Sequence, residues 1–452
     1  MQERYFGTDG IRGLANQFPM TADMALCLGK ALVANFRRHD EVPFKVLIGK
    51  DTRRSGYMFE SALAAGINAM NGSVLFTGPM PTPAIAHLTS AMRCDAGVVI
   101  SASHNPYHDN GIKIFGRDGF KLPTDVEEAI EVSLHDPGCL DALASPERIG
   151  RSRRIDDALG RYNAFVKSSF ERELTLDGLK VVVDCAHGAA YKIAPTVLTE
   201  LGAEVIETGV TPDGYNINAD VGALHPEHCA SLVRAHGADI GISLDGDADR
   251  LILVAENGLI VDGDFVMAML AIDLKQRGAL NHNTLVTTVM SNLGLHRAMQ
   301  VHGIKTIQTA VGDRYVVEAM RRGGYNLGGE QSGHLVMLDH STTGDGLLAA
   351  LRVLSCMRRS GCRLSELASV MQKYPQVLLN FRVEQKIPID SLPLTRALIR
   401  ETESRYGEEG RVLVRYSGTE PKCRVMLEGQ DAEILARDAE AIAALVIRET
   451  SG

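Results

Sequence analysis

The chain has 452 residues, which is enough for about three or four domains. Its net charge of −9 and its 5% aromatic content, without tryptophan, argue against nucleic-acid binding, which needs a basic surface and stacking side chains. The eight cysteines form no CxxC pair, the N-terminus MQERYFGTDGIRG is too polar for a signal peptide, and no apolar run reaches the roughly 18 residues that span a bilayer. We therefore expect a cytoplasmic protein without zinc, disulfides or membrane segments.

The first motif in the chain is the glycine-rich segment FGTDGIRG, residues 6–13. Three glycines around Arg12 are typical of a tight loop that points a guanidinium group at an anion. A flexible terminus would have the same composition, and the segment alone does not decide between the two.

Short apolar runs alternate with helix-compatible stretches, which is typical of βα units in a mostly parallel sheet. The runs form three similar trios, in each of which the third strand ends in a polar loop. They are FKVLIGKD (44–51), SVLFTGPMP (73–81) and AGVVISASHNP (96–106); LKVVVDCA (179–186), AEVIETGVTPDG (203–214) and ADIGISLDGDADR (238–250); and NTLVTTVM (283–290), KTIQTAVGD (305–313) and YNLGGEQSGH (325–334). They predict three related α/β domains, each with a loop at the carboxyl end of a strand, where open α/β sheets bind ligands.

The pattern changes to a smaller α+β unit around ELASVMQKYPQV, residues 366–377. Strands QVLLNFRV and RVLVRYSGTEPKCRVMLEG precede an amphipathic helix there, DAEILARDAEAIAALVIRE. The predicted fold class is α/β: three similar domains with mixed, mostly parallel sheets, followed by a smaller C-terminal α+β domain. The predicted boundaries give domains at 1–150, 151–255, 256–368 and 369–452.

The loop of the first trio contains reactive side chains that a structural turn does not require. The segment VVISASHNPYHDNGIKIF (98–115) runs from apolar residues into Ser101, Ser103 and His104, with Lys113 soon after. The G-x-S-x-G pattern of a hydrolase elbow is absent. Neighbouring side chains of an extended segment point to opposite sides, so we expect no direct pairing of Ser103 with His104.

The loop of the second trio is acidic. LDGDADR places Asp245, Asp247 and Asp249 at alternate positions, which in an extended backbone project to one side. Their mutual repulsion would be relieved by a hard divalent cation, and oxygen ligands suit Mg²⁺ or Ca²⁺. An EF-hand is disfavoured because Arg250 occupies the position that needs glycine. We predict a Mg²⁺ site, with a solvated acidic turn as the alternative.

The third loop and a C-terminal loop supply groups for a sugar and for a phosphate. GGEQSGH carries Glu330, Ser332 and His334 between glycines that allow a ligand close to the backbone; a structural turn is the alternative. In VRYSGTEPKCR (414–424), Ser417, Gly418 and Thr419 can form an anion-binding nest flanked by Arg415 and Arg424. A glycine-containing hairpin with surface arginines is the alternative to the nest.

A metal site, a phosphate nest, a polyol loop and a serine loop together favour phosphoryl transfer on a sugar phosphate. Ser103 would carry the phosphoryl group beside the cation. His104, Lys113 and Arg12 are the candidates for moving protons at the reacting hydroxyls.

In this order and over almost the whole chain, SASHNP, DGDADR, GEQSGH and RYSGTEP resemble the motifs of the α-D-phosphohexomutase family. The resemblance implies four domains around a central cleft and a phosphoserine at Ser103. It also implies Mg²⁺ held by that phosphate and by Asp245, Asp247 and Asp249. A homodimer is the assembly that the family implies.

The resemblance also assigns the remaining candidate residues. Catalytic roles fall to Ser103, His104, Lys113, Arg12 and Arg250. Glu330 and Ser332 would hold the 3- and 4-hydroxyls of the sugar. The distal phosphate would be bound by Arg415, Ser417, Gly418, Thr419 and Arg424.

Within the family, YFGTDGIRG, GGEQSGH and VGDRYV (311–316) resemble the members that act on amino sugars. The implied reaction interconverts glucosamine 6-phosphate and glucosamine 1-phosphate through bound glucosamine 1,6-bisphosphate, on the route to UDP-N-acetylglucosamine and the cell wall. The alternatives are a phosphomannomutase/phosphoglucomutase of the same family, a Mg²⁺-dependent sugar-phosphate hydrolase, and a non-catalytic sugar-phosphate-binding protein.

Overall fold

The computed structural model describes residues 4–7, 9–36, 44–135, 143–416 and 421–451. In chain order its strands are β1 (Ile11–Leu14), β2 (Phe44–Lys50), β3 (Gly72–Pro79), β4 (Ala96–Ile100), β5 (Asp109–Gly116), β6 (Ser152–Arg154), β7 (Lys180–Asp184), β8 (Glu204–Thr208), β9 (Ile240–Leu244), β10 (Leu251–Ala255), β11 (Ile260–Val261), β12 (Thr284–Thr288), β13 (Lys305–Thr309), β14 (Leu327–Gly329), β15 (Leu335–Met337), β16 (Gln376–Arg382), β17 (Arg411–Tyr416) and β18 (Lys422–Glu428).

The α-helices fall between these strands. They are α1 (Ala22–Phe36), α2 (Ser55–Ala69), α3 (Thr82–Ala91), α4 (Thr124–His135), α5 (Ala158–Lys167), α6 (Ile193–Glu200), α7 (Pro226–His236), α8 (Gly263–Gln276), α9 (Leu293–Val301), α10 (Asp313–Gly323), α11 (Gly346–Ser360), α12 (Leu364–Ala368), α13 (Pro393–Tyr406) and α14 (Ala432–Thr450). No helix in the described ranges is both long and apolar enough to cross a membrane.

The chain divides into two compact units. The larger unit comprises residues 1–290 and 304–370, and the smaller unit comprises residues 291–303 and 371–452. The larger unit contains three sheets, with strand orders β1-β5-β4-β2-β3-β6, β11-β10-β9-β7-β8 and β13-β12-β14-β15.

The same pairing pattern recurs in all three sheets of the larger unit. A central strand (β2, β7 or β12) pairs in parallel with the next strand of its trio on one side and with the third strand on the other. The third strand (β4, β9 or β14) then pairs antiparallel with the strand that follows it. The predicted repeat is confirmed, and the serine, acidic and GGEQSGH loops occupy the same topological position.

The burial of these strands explains why they could be predicted from the sequence. β4 and β9 are buried at every position, as expected for strands covered on both faces. The predicted α/β class is therefore confirmed.

β6, which begins at Ser152, pairs in parallel with β3 and belongs to the first sheet, although it follows the boundary predicted after residue 150.

The smaller unit is α+β, as predicted. Its antiparallel sheet has the order β16-β18-β17, and α13 and α14 pack on it around an apolar core. The buried carboxylate of Glu428 on β18 accepts hydrogen bonds from the N–H of Leu293, which begins α9, and from the side chain of Arg411 on β17. These bonds fix α9 against the sheet.

Candidate active site

The serine loop places its second serine in an unusual backbone conformation. Ser103 is buried, and its φ of 53° lies in the left-handed region that few non-glycine residues adopt. Its hydroxyl donates a hydrogen bond of 2.6 Å to the Oδ2 of Asp245. The acidic loop packs tightly here, since a β-carbon at Gly246 would lie 2.6 Å from the Ser103 carbonyl oxygen. The structure thus brings the predicted serine and acidic loops together.

The expectation that Ser103 and His104 point apart is wrong. Their side chains meet, with 3.3 Å between Ser103 Oγ and His104 Nδ1. The left-handed φ of Ser103 is the reason, because the alternation of side chains holds only for an extended backbone. Burial, with the positive charges of Arg250 and Arg12, lowers the pKa of His104 to about 4. Its imidazole is therefore neutral at neutral pH.

The three aspartates converge as predicted, but by a different route. One carboxylate oxygen of each of Asp245, Asp247 and Asp249 lies within 4.8 Å of the others, and all three residues are buried. The loop is a turn rather than an extended segment, with Ala248 at a φ of 58°. A turn of this kind gathers the carboxylates from a span of only five residues.

The aspartate cluster fits a hard cation. Burial, with repulsion from Asp249 and Asp247, raises the pKa of Asp245 to about 8. The Oδ1 of Asp247 is buried and has no hydrogen-bond partner among the described residues. Buried carboxylate oxygens without protein donors are the ligands that a divalent metal ion uses. The cluster is compatible with a metal site.

A buried lysine already lies against this cluster. The Nζ of Lys113 is 2.9 Å from Asp247, 3.2 Å from Asp249 and 3.2 Å from Asp9. Burial by itself would lower the pKa of Lys113, but the charges of Asp247, Asp249 and Asp9 together hold it well above its usual value. Lys113 is therefore an ammonium ion at neutral pH, and the hydroxyl of Thr82 donates a further bond of 2.6 Å to Asp247.

Sequence reasoning missed a group of charges beside Lys113. Asp9 contacts Lys113 and also forms ion pairs with Arg12 and Lys121. Lys121 in turn lies 2.5 Å from Asp313 at the start of α10. Burial would raise the pKa of Asp9, but the charges of Lys113, Lys121 and Arg12 hold it well below its usual range. Asp9 lies inside the quoted FGTDGIRG motif, whereas nothing in the sequence around Lys121 pointed to the site.

The GGEQSGH loop lies beside the acidic loop. Arg250 and His334 form an antiparallel bridge, and the His334 Nδ1 is 3.6 Å from an Asp249 carboxylate oxygen. The Oε1 of Glu330 accepts a hydrogen bond of 2.9 Å from the N–H of Gly312. Ser332 is exposed, and its hydroxyl is 3.5 Å from the Glu330 Oε2. Glu330 and Ser332 thus stand together at a surface that a ligand can reach.

In the smaller unit, the two predicted arginines are direct cross-strand neighbours. Arg415 on β17 pairs with Arg424 on β18. Burial, with the charge of Arg424, lowers the pKa of Arg415. The buried Nε of Arg424 has no acceptor among the described residues. Two adjacent guanidinium groups suit an anion such as phosphate. The predicted nest residues Ser417, Gly418 and Thr419 lie outside the described residues.

Four family models match successive parts of the chain. They describe the phosphoglucomutase/phosphomannomutase alpha/beta/alpha domain I at residues 3–137, domain II at 160–258, domain III at 262–374 and the C-terminal domain at 378–445. Together they account for most of the sequence.

The chain is also similar to curated proteins and to solved structures. A phosphoglucosamine mutase of Geotalea daltonii is 56% identical over 451 residues, which cover 100% of this chain and 99% of the relative. A phosphoglucomutase/phosphomannomutase family protein of Burkholderia thailandensis matches with a TM-score of 0.81 at 24% identity, over 99% of this chain and 98% of that one. An Aspergillus fumigatus N-acetylphosphoglucosamine mutase, solved with GlcNAc-6P and magnesium, matches with a TM-score of 0.69 at 16% identity, over 99% and 96% of the two chains.

Proposed function

The chain belongs to the phosphoglucomutase/phosphomannomutase family of α-D-phosphohexomutases and acts as a phosphoglucosamine mutase, and we propose that Ser103 carries the phosphoryl group in this reaction. The observation that carries the proposal is the 2.6 Å hydrogen bond from the Ser103 hydroxyl to Asp245, inside a buried cluster of three carboxylates. Ser103 is the serine of its loop that contacts this cluster directly.

In the proposed reaction, phosphoserine 103 donates its phosphoryl group to O1 of glucosamine 6-phosphate. The product of that step, glucosamine 1,6-bisphosphate, turns around and returns its 6-phosphoryl group to Ser103, leaving glucosamine 1-phosphate. Both transfers need an attacking oxygen held in line with the phosphorus, so fixed positioning of Ser103 contributes directly to rate.

Asp245, Asp247 and Asp249 would hold Mg²⁺ together with the phosphate on Ser103. Their all-oxygen chemistry suits that ion, and the Aspergillus relative was solved with magnesium. When bound, Mg²⁺ supplies positive charge that stabilises the charge developing on the transferred phosphoryl group.

The charged groups around Ser103 would stabilise the phosphoryl group, and a neutral group would accept a proton. Lys113 and Arg12 are cations that would neutralise phosphoryl oxygens, while Arg250, held between Asp245, Asp249 and Glu330, would do so from the acidic loop. His104 is neutral and lies 3.3 Å from the Ser103 hydroxyl, so it is our candidate for accepting a proton at this end of the site.

Glu330 and Ser332 would bind the sugar hydroxyls. Arg415 and Arg424, with the predicted nest at Ser417, Gly418 and Thr419, would bind the phosphate that is not being transferred. One anchor would serve both half-reactions: it would bind the 6-phosphate in the first transfer and, after the intermediate turns around, the 1-phosphate in the second.

Arg424→Gln is expected to raise KM for glucosamine 6-phosphate by about 10- to 100-fold, because one charge-assisted bond to phosphate is lost. Steady-state kinetics measure the change. Arg437→Gln, at an arginine whose side chain is 69% exposed on α14, is the matched control and is expected to leave KM unaltered. Equal KM values in the two variants would remove Arg424 from the proposed phosphate site.

The substrate assignment is tested by comparing glucosamine 6-phosphate, mannose 6-phosphate and glucose 6-phosphate, each primed with its 1,6-bisphosphate. We expect glucosamine 6-phosphate to have the highest kcat/KM by about tenfold or more, and the reaction to stop when EDTA removes the metal. Equal or faster turnover of a neutral sugar would indicate a phosphomannomutase/phosphoglucomutase specificity. Release of inorganic phosphate in place of the 1-phosphate would indicate a hydrolase.

A further inference from the structure

One fully buried arginine near the site has no role in the reaction described above. Arg53 follows β2 and is 0% exposed. A buried guanidinium group must have its donors satisfied, because an uncompensated buried charge destabilises the fold. The acceptors that Arg53 finds are almost all in the serine loop.

The terminal nitrogens of Arg53 bind four backbone carbonyls of that loop. Its Nη2 donates to the carbonyl oxygens of Ser103, at 3.1 Å, and Asn105, at 2.7 Å. Its Nη1 donates to the carbonyl oxygens of Asp109, at 3.1 Å, and Pro106. This planar fork holds the chain from the nucleophile to the start of β5, together with the side-chain amide of Asn218, which donates to the same carbonyls of Ser103 and Asn105.

Arg53 is also linked, through two side chains, to the backbone N–H of Ser103. Its Nε donates to the Oδ2 of Asp51 at 2.8 Å, and that oxygen accepts a 2.6 Å bond from the Ser101 hydroxyl. The Ser101 Oγ then accepts a 2.9 Å bond from the N–H of Ser103. Arg53 therefore binds the carbonyl of Ser103 directly and is linked to its N–H through Asp51 and Ser101.

This network accounts for the backbone of Ser103. A non-glycine residue at a φ of 53° is in a sparsely populated, strained conformation, which persists only where its surroundings hold it. In this backbone conformation the Ser103 hydroxyl contacts Asp245. We propose that Arg53 is a positioning residue, which holds the Ser103 hydroxyl in line for phosphoryl transfer through the loop backbone; this rests on the proposed function of Ser103.

The step to be measured is the phosphorylation of Ser103 by glucosamine 1,6-bisphosphate in the presence of Mg²⁺. A bond forms between Ser103 Oγ and phosphorus as the bond from phosphorus to the sugar oxygen breaks, and the serine proton ends on the sugar hydroxyl. Rapid quenching and intact-protein mass spectrometry of dephosphorylated enzyme give the rate without a contribution from product release.

Arg53→Lys keeps the positive charge but loses the planar fork. We expect its phosphorylation rate and kcat to fall by about 100-fold, as for a displaced reacting atom, with KM within about threefold of the unaltered protein. Arg54→Lys, at the exposed neighbouring position, is the matched control and is expected to react at the unaltered rate. Circular dichroism at the assay temperature gives the folded fraction by which each rate is corrected.

A second variant tests the positioning of Ser103 if Arg53→Lys does not fold. Ser101→Ala leaves the bonds of Arg53 to the loop carbonyls in place and removes the Ser101 hydroxyl, which accepts from the Ser103 N–H and donates to Asp51. We expect phosphorylation about tenfold slower, which corresponds to one lost hydrogen bond that aligns the nucleophile.

Unaltered phosphorylation rates in the folded variants would overturn the inference. So would a loss of rate that disappears once the unfolded fraction is subtracted, since that is what a merely structural arginine would give. Failure of the proposed function gives a different result: the unaltered protein itself would not become phosphorylated on Ser103. In that case the role of Arg53 in positioning Ser103 would be rejected as well.

Discussion

Ser103→Ala is expected to lower kcat by about 10⁴-fold or more, since the variant has no oxygen that can carry the phosphoryl group. The effect is large because the residue forms the covalent intermediate and does not merely assist it. KM for glucosamine 6-phosphate is expected to change little, since the sugar loop and the arginine pair are untouched. Steady-state assay with coupled detection of glucosamine 1-phosphate measures both values.

Ser61→Ala is the matched control for this variant. Ser61 is exposed on α2, where its hydroxyl bonds only to the Tyr57 carbonyl among the described residues, so its loss should leave kcat unaltered. Turnover by Ser103→Ala within about tenfold of that control would rule out Ser103 as the phosphoryl carrier.

Lys113→Met is expected to destabilise the metal-free protein by about 3–5 kcal/mol, because buried carboxylates lose their cation. Lys113 Nζ lies within 3.2 Å of Asp247, Asp249 and Asp9, and the lysine is only 1% exposed. Methionine fills a similar volume without charge. The urea midpoint in EDTA measures the loss, and Mg²⁺ is expected to raise the midpoint of the variant more than that of the unaltered protein.

Lys192→Met serves as its control, because Lys192 is exposed and the aspartate cluster lies elsewhere. We expect the control to unfold at the unaltered midpoint with or without Mg²⁺. If Lys113→Met were as stable as this control in EDTA, the ammonium group would not be what neutralises the carboxylates.

The framework of the larger unit could be predicted because most strands of its three trios are buried; β8 and β13, with only exposed and half-buried positions, are the exceptions. Buried strands are unbroken apolar runs in the sequence, and the polar loops that end them stand out by contrast. The nine strands of the three trios all form, and the repeat places the serine, acidic and GGEQSGH loops equivalently. The convergence of Asp245, Asp247 and Asp249 was predicted, but from an extended backbone, whereas the structure achieves it with a turn in which Ala248 has a φ of 58°.

The residues that support the site could not be predicted, since their environment depends on the assembled fold. Arginine and lysine are mostly exposed, so nothing in the sequence around Arg53 indicates its burial, and nothing around Lys121 indicates its ion pairs with Asp9 and Asp313. Arg53 acquires its role only when the end of β2 meets the loop after β4, 50 residues later. The contact between Ser103 and His104 depends on a single left-handed φ, which local sequence does not specify.

A single-turnover experiment with labelled phosphoenzyme tests the role of Ser103 most directly. Enzyme carrying ³²P on Ser103 would be mixed with glucosamine 6-phosphate and Mg²⁺, and the label followed in protein, bisphosphate, monophosphate and inorganic phosphate. We expect the label to leave Ser103 at least as fast as steady-state turnover and to appear first in glucosamine 1,6-bisphosphate. Label that stayed on the protein while glucosamine 1-phosphate formed, or that appeared as inorganic phosphate, would contradict transfer through Ser103.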